Sequence, residues 1–440
     1  MKSRIYRVPY GRDHLSFELP PGMTGAVVAS RAVEPVPDVQ QAVREALRDP
    51  IGSPPLRELA ARGDPAALKV CIVFTDITRS SPDEVLVPSL LQELENAGVP
   101  DRNITLLCGI GMHRPSTEEE KRIKLGPDVL ARYRVIDNEP QNPKALIDLG
   151  LTDGGVPVSA HRAAVEADIL IATGLVEPHQ YAGYSGGRKT VAVGAAGEAL
   201  IAYTHGPAFV DHPGTRLGRI EGNPFHDAVT EAARRAGLDF IMNVVLDDEK
   251  RVVAVKAGEP VETHGQLVSF ARSIYEVPIP RQVDVAIAGV GFPKDANLYQ
   301  ASRAASYLFF APTPVVKEGG FLIVPAPCDE GAGEGVGEQR FFEAMRDAPD
   351  VQAILCDARE NGYPPGQQRA FVMAKVLEGA RVVVVGADCP EVITACKMMS
   401  AATMDEALAL ASQELGPNLD VLVVPHALQT LPVVSTEVGT

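Results

Sequence analysis

The chain has 440 residues, 45% hydrophobic and 22% charged, the composition of a globular protein too long for one ordinary core. A formal charge of −16 argues against a nucleic-acid partner and favours basic residues gathered where a small anion binds. The six cysteines are scattered without a CxxC pair, no apolar run reaches transmembrane length, and MKSRIYRVPYGRDHL lacks a signal-peptide core, so a reducing, cytoplasmic setting away from membranes is expected.

In chain order, residues 1–30 read as strands with turns at Tyr10-Gly11 and Pro20-Pro21-Gly22. Proline-rich 34–37 and 50–55 flank a short helix, with Asp38 as a possible N-cap. Lys69–Phe74 (KVCIVF) has the branched, apolar run of a buried parallel strand and ends in TDITRSSP. A helix follows to about Ala97 and stops at Gly98. The next strand, Ile104–Cys108, ends in GIGMHRP, after which Ser116-x-x-Glu119 predicts a capping box. A third strand, Asp168–Thr173, runs into a glycine-rich stretch, 174–205.

Residues 206–275 read as a helix-rich tail, with a turn at Gly222-Asn223-Pro224 and a helical pattern from His226-Asp227 to Ala236. Pro278–Pro280 reads as a linker into a second series of strands: Val283–Ala288, Gly320–Val324, Val351–Leu355 and Arg381–Val385, with helices between. Glycine-rich 331–337 reads as a loop, and 427–440 carries no strong pattern. The expected fold is α/β with mostly parallel sheets, in an N-terminal domain 1–276 and a C-terminal domain 277–440.

Three strand-to-helix junctions carry polar side chains: Asp76 with Arg79, His113 with Arg114, and His179 with Lys189. Ligands of open parallel sheets bind at the carboxyl ends of strands, so one shared site explains the three better than coincidence. The third junction holds six glycines between Gly174 and Gly197. In Ser185-Gly186-Gly187-Arg188-Lys189, successive backbone N–H groups and two cations make a plausible phosphate seat. The stretch misses the GxxxxGK[ST] loop, because Arg188 stands where that loop needs its second glycine. The plainer reading is a structural turn with a solvated Arg-Lys pair.

The segments DITRSSP, GIGMHRPSTEEE and HQYAGYSGGRKTV, in that order, resemble the nickel-pincer lactate racemase family. Tyr299-Gln300-x-x-Arg303 matches in the second half, so the resemblance spans most of the chain. It implies an α/β enzyme of two domains with its site in the cleft between them. It implies nickel held by pyridinium-3-thioamide-5-thiocarboxylic acid mononucleotide, attached covalently to Lys189, and supplied by cofactor-biosynthesis enzymes. The protein ligand to nickel would be His205, and the acid–base pair His113 and His179. Arg79, Tyr299, Gln300 and Arg303 would hold a small 2-hydroxy acid, with Asp76 nearby and the Ser185–Arg188 turn suiting the nucleotide phosphate.

Those residue types suit the implied reaction. Inversion at a hydroxyl-bearing carbon needs an imidazole on either side of it, while hydride leaves and returns through a cofactor. A carboxylate substrate suits the planar fork of Arg79. Family members acting on lactate carry lysine three residues after the glutamine, where this chain has Arg303, and often Phe where Tyr181 and Tyr184 stand. A larger or dicarboxylic 2-hydroxy acid such as malate is therefore a candidate beside lactate. The competing readings are a zinc-type hydrolase using His113, His179 and His205, a non-catalytic nucleotide or hydroxy-acid binding protein, and a Schiff-base enzyme using Lys189.

Overall fold

The computed structural model describes residues 4–364 and 366–435. Two compact units emerge, each with its own parallel sheet. One comprises residues 32–205 and 220–273; the other comprises residues up to 31, 206–219 and those from 274 onward. The mixed α/β class with mostly parallel sheets is as the sequence predicts. The domain limits differ. Thr24–Val27 pairs in parallel with Asp420–Val424, so the N-terminal segment completes the sheet of the C-terminal unit.

In the first unit the strand order is Val252–Gly258, Leu238–Leu246, Ile169–Leu175, Val70–Thr75, Ile104–Gly109, Arg134–Asp137. All neighbours are parallel except the antiparallel edge pair formed by the first two. Every residue of Val70–Thr75 and of Ile169–Leu175 is buried, because helices cover both faces of a parallel sheet. From Val70–Thr75 the chain steps outward to one side, then returns to the other side with Ile169–Leu175. The topological switch point lies between these two strands, where such sheets bind their ligands. Asp76 follows one of them and the glycine stretch follows the other.

The second unit has the order Met399–Ala401, Arg381–Val385, Val316–Pro325, Val283–Ala288, Asp420–Val424, Thr24–Val27, parallel throughout. The hairpin of Ile5–Tyr10 and Asp13–Glu18 packs Tyr6, Val8 and Phe17 into this unit's core. Its turn enters the carboxyl end of the sheet: the Gly11 amide donates to Asp295 Oδ2 (2.6 Å) and the Tyr10 hydroxyl to the Gly386 carbonyl (2.5 Å).

Several local expectations hold. Asp38 caps Val39–Arg48 by accepting from the Gln41 amide, and Asp83–Asn96 ends before Gly98. Others fail for identifiable reasons. Val351–Leu355 is the start of a helix, Val351–Asn361, because Asp350 accepts from the Ala353 amide and caps it. Short apolar runs do not distinguish strand from helix without such a signal. Leu238–Leu246 and Val252–Gly258 are strands inside the supposed helix-rich tail. Glu276–Ile279 is a strand paired with Leu431–Val434, so Pro278 and the tail lie in a small sheet, while 436–440 fall outside the described residues. The capping box stands one residue later than expected, on Thr117 and Glu120. Among the described residues no helix is long and apolar enough to cross a membrane.

Candidate functional site

Asp76 leaves the carboxyl end of Val70–Thr75 and is buried. Its Oδ2 accepts from His113 Nδ1 (2.6 Å) and its Oδ1 from the Thr78 hydroxyl (2.7 Å). Burial disfavours the carboxylate, but the bonds from His113 and Thr78 and the nearby Arg79 cation outweigh it, so the Asp76 pKa is lowered. The carboxylate fixes the His113 tautomer: Nδ1 carries the proton and Nε2 keeps a lone pair. The His113 side chain remains half exposed. Its loop docks on the segment after Lys189, with the Gly111 amide donating to the Gly194 carbonyl (2.9 Å). Gly194 has to be glycine, since a Cβ there would stand 3.0 Å from the Gly109 Cα.

His179 has the opposite polarity. It lies in the two-residue bridge Pro178–His179, and its Nδ1 accepts from the Tyr181 and Ala182 amides (3.2 and 3.1 Å). In the neutral ring the proton then sits on Nε2. One histidine of the expected pair is set as a proton acceptor and the other as a donor.

Lys189 closes a single helical turn, Gly187–Lys189, and a π-type segment, Thr190–Gly194, follows. Such wide turns recur at functional sites. Part of the Lys189 surface stays accessible, but protein surrounds its ammonium densely. Lost hydration, then repulsion from Arg79, lowers its pKa to about 7, against the pull of Asp76 and Glu177. A large fraction of this amine is neutral and nucleophilic near pH 7.

His205 terminates the helix Glu198–Thr204. Its Nδ1–H donates to the Ile201 carbonyl (2.8 Å), which leaves the Nε2 lone pair unprotonated. Burial, with the Lys189 ammonium second, holds its pKa down to about 4. The ring packs edge-on to Tyr181 (5.0 Å) and Phe225 (5.1 Å). Tyr181 and Tyr184 are both buried.

The Ser185–Arg188 turn departs from the open anion seat expected of it. The Ser185 amide donates to the Glu177 carbonyl, the Gly187 amide to Asn243 Oδ1 (2.6 Å), and the Lys189 amide to the Gly186 carbonyl. The Ser185 hydroxyl donates to the Leu175 carbonyl (2.6 Å). Arg188 turns away into the protein and donates to His226 Nε2 (3.1 Å) and His264 Nδ1 (2.8 Å). His264 Nε2–H in turn donates to the Ser185 carbonyl (2.7 Å). Gly186, at φ +135°, lets this imidazole approach, since a Cβ would meet its Cδ2 at 2.5 Å. Backbone packing therefore accounts for these glycines, and Arg188 clamps the turn that carries Lys189.

Burial, with Arg188 second, lowers the His264 pKa to about 3 and moves His226 the same way. The unfolded chain binds these protons near pH 6.5. Stability should be complete above that pH and should fall as pH drops from about 6.5 toward 3, by up to about 1.4 kcal/mol per pH unit for His264. Denaturant midpoints between pH 7 and 4 measure this. His264→Gln should flatten the slope, and an equal slope in the variant would exclude His264 as its source.

A buried ion pair beneath the site is absent from the sequence reading. Lys124 Nζ lies 2.8 Å from Asp83 Oδ2 and donates to the carbonyls of Arg79 (3.2 Å) and Ser81 (2.8 Å). Asp83 also accepts from Thr75 and Thr173 (2.6 Å each), tying together the ends of the two switch-point strands. Lys124 reads as one more cation of an exposed acidic–basic helix, so its pattern gave no signal. Removing either partner leaves a buried charge. Lys124→Met should therefore cost about 3–5 kcal/mol in a urea titration. A loss under about 1 kcal/mol would mean that water replaces the partner.

Tyr299, Gln300 and Arg303 belong to the other unit, on the helix Leu298–Phe309 capped by Asn297. Arg303 Nη2 donates to the Tyr307 hydroxyl (3.1 Å) and Nη1 approaches Gln300 Oε1 (3.4 Å). Among the described residues no three His, Cys, Asp or Glu side chains are placed to hold a metal together, so the three-histidine zinc reading has no support.

The Asp76–His113 pair, the His179 loop and a lysine of lowered pKa all follow strand ends of one parallel sheet, residue types that suit proton transfer. Comparison with known proteins makes the class an isomerase, a racemase. The chain belongs to the lactate racemase family: residues 10–218 match the lactate racemase N-terminal domain and 280–431 the lactate racemase C-terminal domain. It is 30% identical to the lactate racemase of Thermoanaerobacterium thermosaccharolyticum over 427 residues, 96% of this chain and 98% of that one. It is 34% identical to the lactate racemase of Lactiplantibacillus plantarum over 395 residues, 88% and 90% of the two chains. The lactate racemase apoprotein structure from T. thermosaccharolyticum superposes with a TM-score of 0.84 at 29% identity, covering 98% of this chain and all of that one. A Thermotoga maritima structure shares the fold, with a TM-score of 0.66 at 20% identity over 92% of this chain.

Proposed function

We propose that the protein racemises a 2-hydroxy acid, lactate or a dicarboxylate such as malate, using nickel held by pyridinium-3-thioamide-5-thiocarboxylic acid mononucleotide attached to Lys189. The observation that carries this reading is the pairing of Lys189, its pKa lowered to about 7, with His205, whose Nε2 lone pair is preserved by the Nδ1–H bond to Ile201. These residues fit the group. A neutral amine suits a covalent acyl-type link, and a lone imidazole suits a metal whose other donors come from the cofactor. When bound, that cofactor supplies reversible acceptance of the hydrogen on the hydroxyl-bearing carbon.

The chain's own residues handle the proton and the carboxylate. His113 Nε2 takes the hydroxyl proton, and Asp76 stabilises the imidazolium that forms. His179 keeps its Nε2 proton and donates a hydrogen bond to the substrate oxygen, and the His113 imidazolium returns its proton to that oxygen once the hydrogen is back on carbon, so both rings end the turnover as they began. Arg79 offers a planar fork to the carboxylate, and its backbone is held by Lys124. Tyr299, Gln300 and Arg303 are the further substrate contacts of this reading.

The test is nickel content of full-length protein co-expressed with the cofactor-making enzymes. His205→Ala should lower bound nickel to a small fraction of the native amount. Stoichiometric nickel with only turnover reduced would remove His205 as a ligand. The lowered Lys189 pKa also suits a Schiff-base lysine, and borohydride trapping with a carbonyl substrate separates that reading from the first.

A further inference from the structure

Arg369 is the second residue of the helix Gln368–Gly379 and is 8% exposed. Its Nη1 donates to the Ser306 hydroxyl (2.9 Å), and its guanidinium lies over the Tyr299 ring, 5.7 Å from the centroid. Its Nε is sealed from solvent without a hydrogen-bond partner. Among the described residues no carboxylate lies within ion-pair distance of it. A buried cation without a counter-charge costs several kcal/mol, so folds keep one where a ligand supplies the charge.

The surroundings of Arg369 are those of a polar seat. Ser306 donates to the Arg303 carbonyl while accepting from Arg369, so one hydroxyl joins the two arginines. Tyr299 and Arg303 lie one turn apart on the same helix, and Ser306 is the next turn on that side. The backbone opposite Tyr299 is stripped of side chains. A Cβ on Gly337 would stand 3.8 Å from the Tyr299 hydroxyl, and Gly366, at φ +95°, would bring one to 2.6 Å from the Gly337 Cα.

We infer that Arg369 is a specificity-determining residue that binds the second carboxylate of a dicarboxylic 2-hydroxy acid. The inference rests on the racemase reading above and narrows its substrate class. Lactate has a methyl group where malate has a carboxymethyl group, so it cannot satisfy this cation. A guanidinium meets a carboxylate through two parallel N–H donors, and a charge-assisted pair of that kind is roughly twice as strong as a neutral bond.

The experiment uses the full-length enzyme loaded with its cofactor, with native, Arg369→Gln and Arg369→Lys chains compared on malate and lactate. The expected result is a fall in the malate-to-lactate ratio of kcat/KM by about 10–100-fold in Arg369→Gln, mostly through KM, with partial recovery in Arg369→Lys. Equal losses on the two substrates, or an unmoved ratio, would overturn the inference. The cofactor phosphate is the other possible counter-charge. If it were the partner of Arg369, the cofactor mass on the Arg369→Gln chain would fall together with both activities.

Binding keeps the inference testable if the racemase reading fails. Calorimetric titration of the cofactor-free chains with malate, succinate and lactate should show dicarboxylate binding weakened about 10-fold or more in Arg369→Gln. Such weakening in a protein that racemises nothing would leave the seat standing and remove the proposed function. No dicarboxylate binding to native protein in either form would remove the seat.

Discussion

Replacing Lys189 with alanine should abolish the covalent cofactor adduct. In full-length protein co-expressed with the cofactor-making enzymes, the native intact mass should exceed the chain mass by the nucleotide, and the variant should show the bare chain. Racemase activity should fall below detection with it. Lys189→Arg keeps the charge and bulk but not a neutral amine, because a guanidinium stays protonated at any physiological pH. It should therefore behave like alanine. An adduct that persists on both variants would move the attachment elsewhere. Lys189 owes its nucleophilicity to lost hydration and to Arg79, so Arg79→Gln should raise its pKa and slow attachment.

Replacing His113 or His179 should cost about 10²–10⁴-fold in turnover, the range for a positioned acid or base. The overall equilibrium between enantiomers is fixed, so both directions must fall together. The pH profiles should separate the two residues. In the proposed reaction the base is His113, through an Nε2 left open by Asp76, so His113→Gln should lose the limb that requires a free base. His179 is held as a neutral hydrogen-bond donor by the amides of Tyr181 and Ala182, so His179→Gln should lower turnover and leave the shape of the profile in place. An unchanged profile in His113→Gln, or a lost limb in His179→Gln, would overturn these roles.

Much of the first unit was legible because its signals are local. The buried runs of Val70–Thr75 and Ile169–Leu175 are continuous, and Asp76, His113 and the glycine stretch sit directly at strand ends. What escaped depends on partners distant in the chain. Arg188 reads as a surface cation beside Lys189, yet His264, far along the sequence, draws it inward and turns an expected phosphate seat into a clamp. Asn243 was hidden in a strand taken for part of a helical tail, although it holds the Gly187 amide. Lys124 and Asp83 lie on different helices and meet only through tertiary packing. Arg369 carries no motif; only its burial without an acid singles it out.

The pairing of Thr24–Val27 with Asp420–Val424 imposes an order on biosynthesis. The edge strand Thr24–Val27 leaves the ribosome ~400 residues ahead of its partner strand. At roughly 5–20 residues per second, an interval of ~400 residues lasts on the order of 20–80 s. Throughout that time the segment exposes unsatisfied backbone donors and acceptors, while the whole first unit is synthesised and can fold. The early hairpin Ile5–Glu18 waits likewise for the strands that receive Tyr6, Val8 and Phe17. A nascent chain stalled before Asp420 would thus carry a first unit able to fold and a β-edge still without its partner, the kind of exposed edge that invites edge-to-edge association.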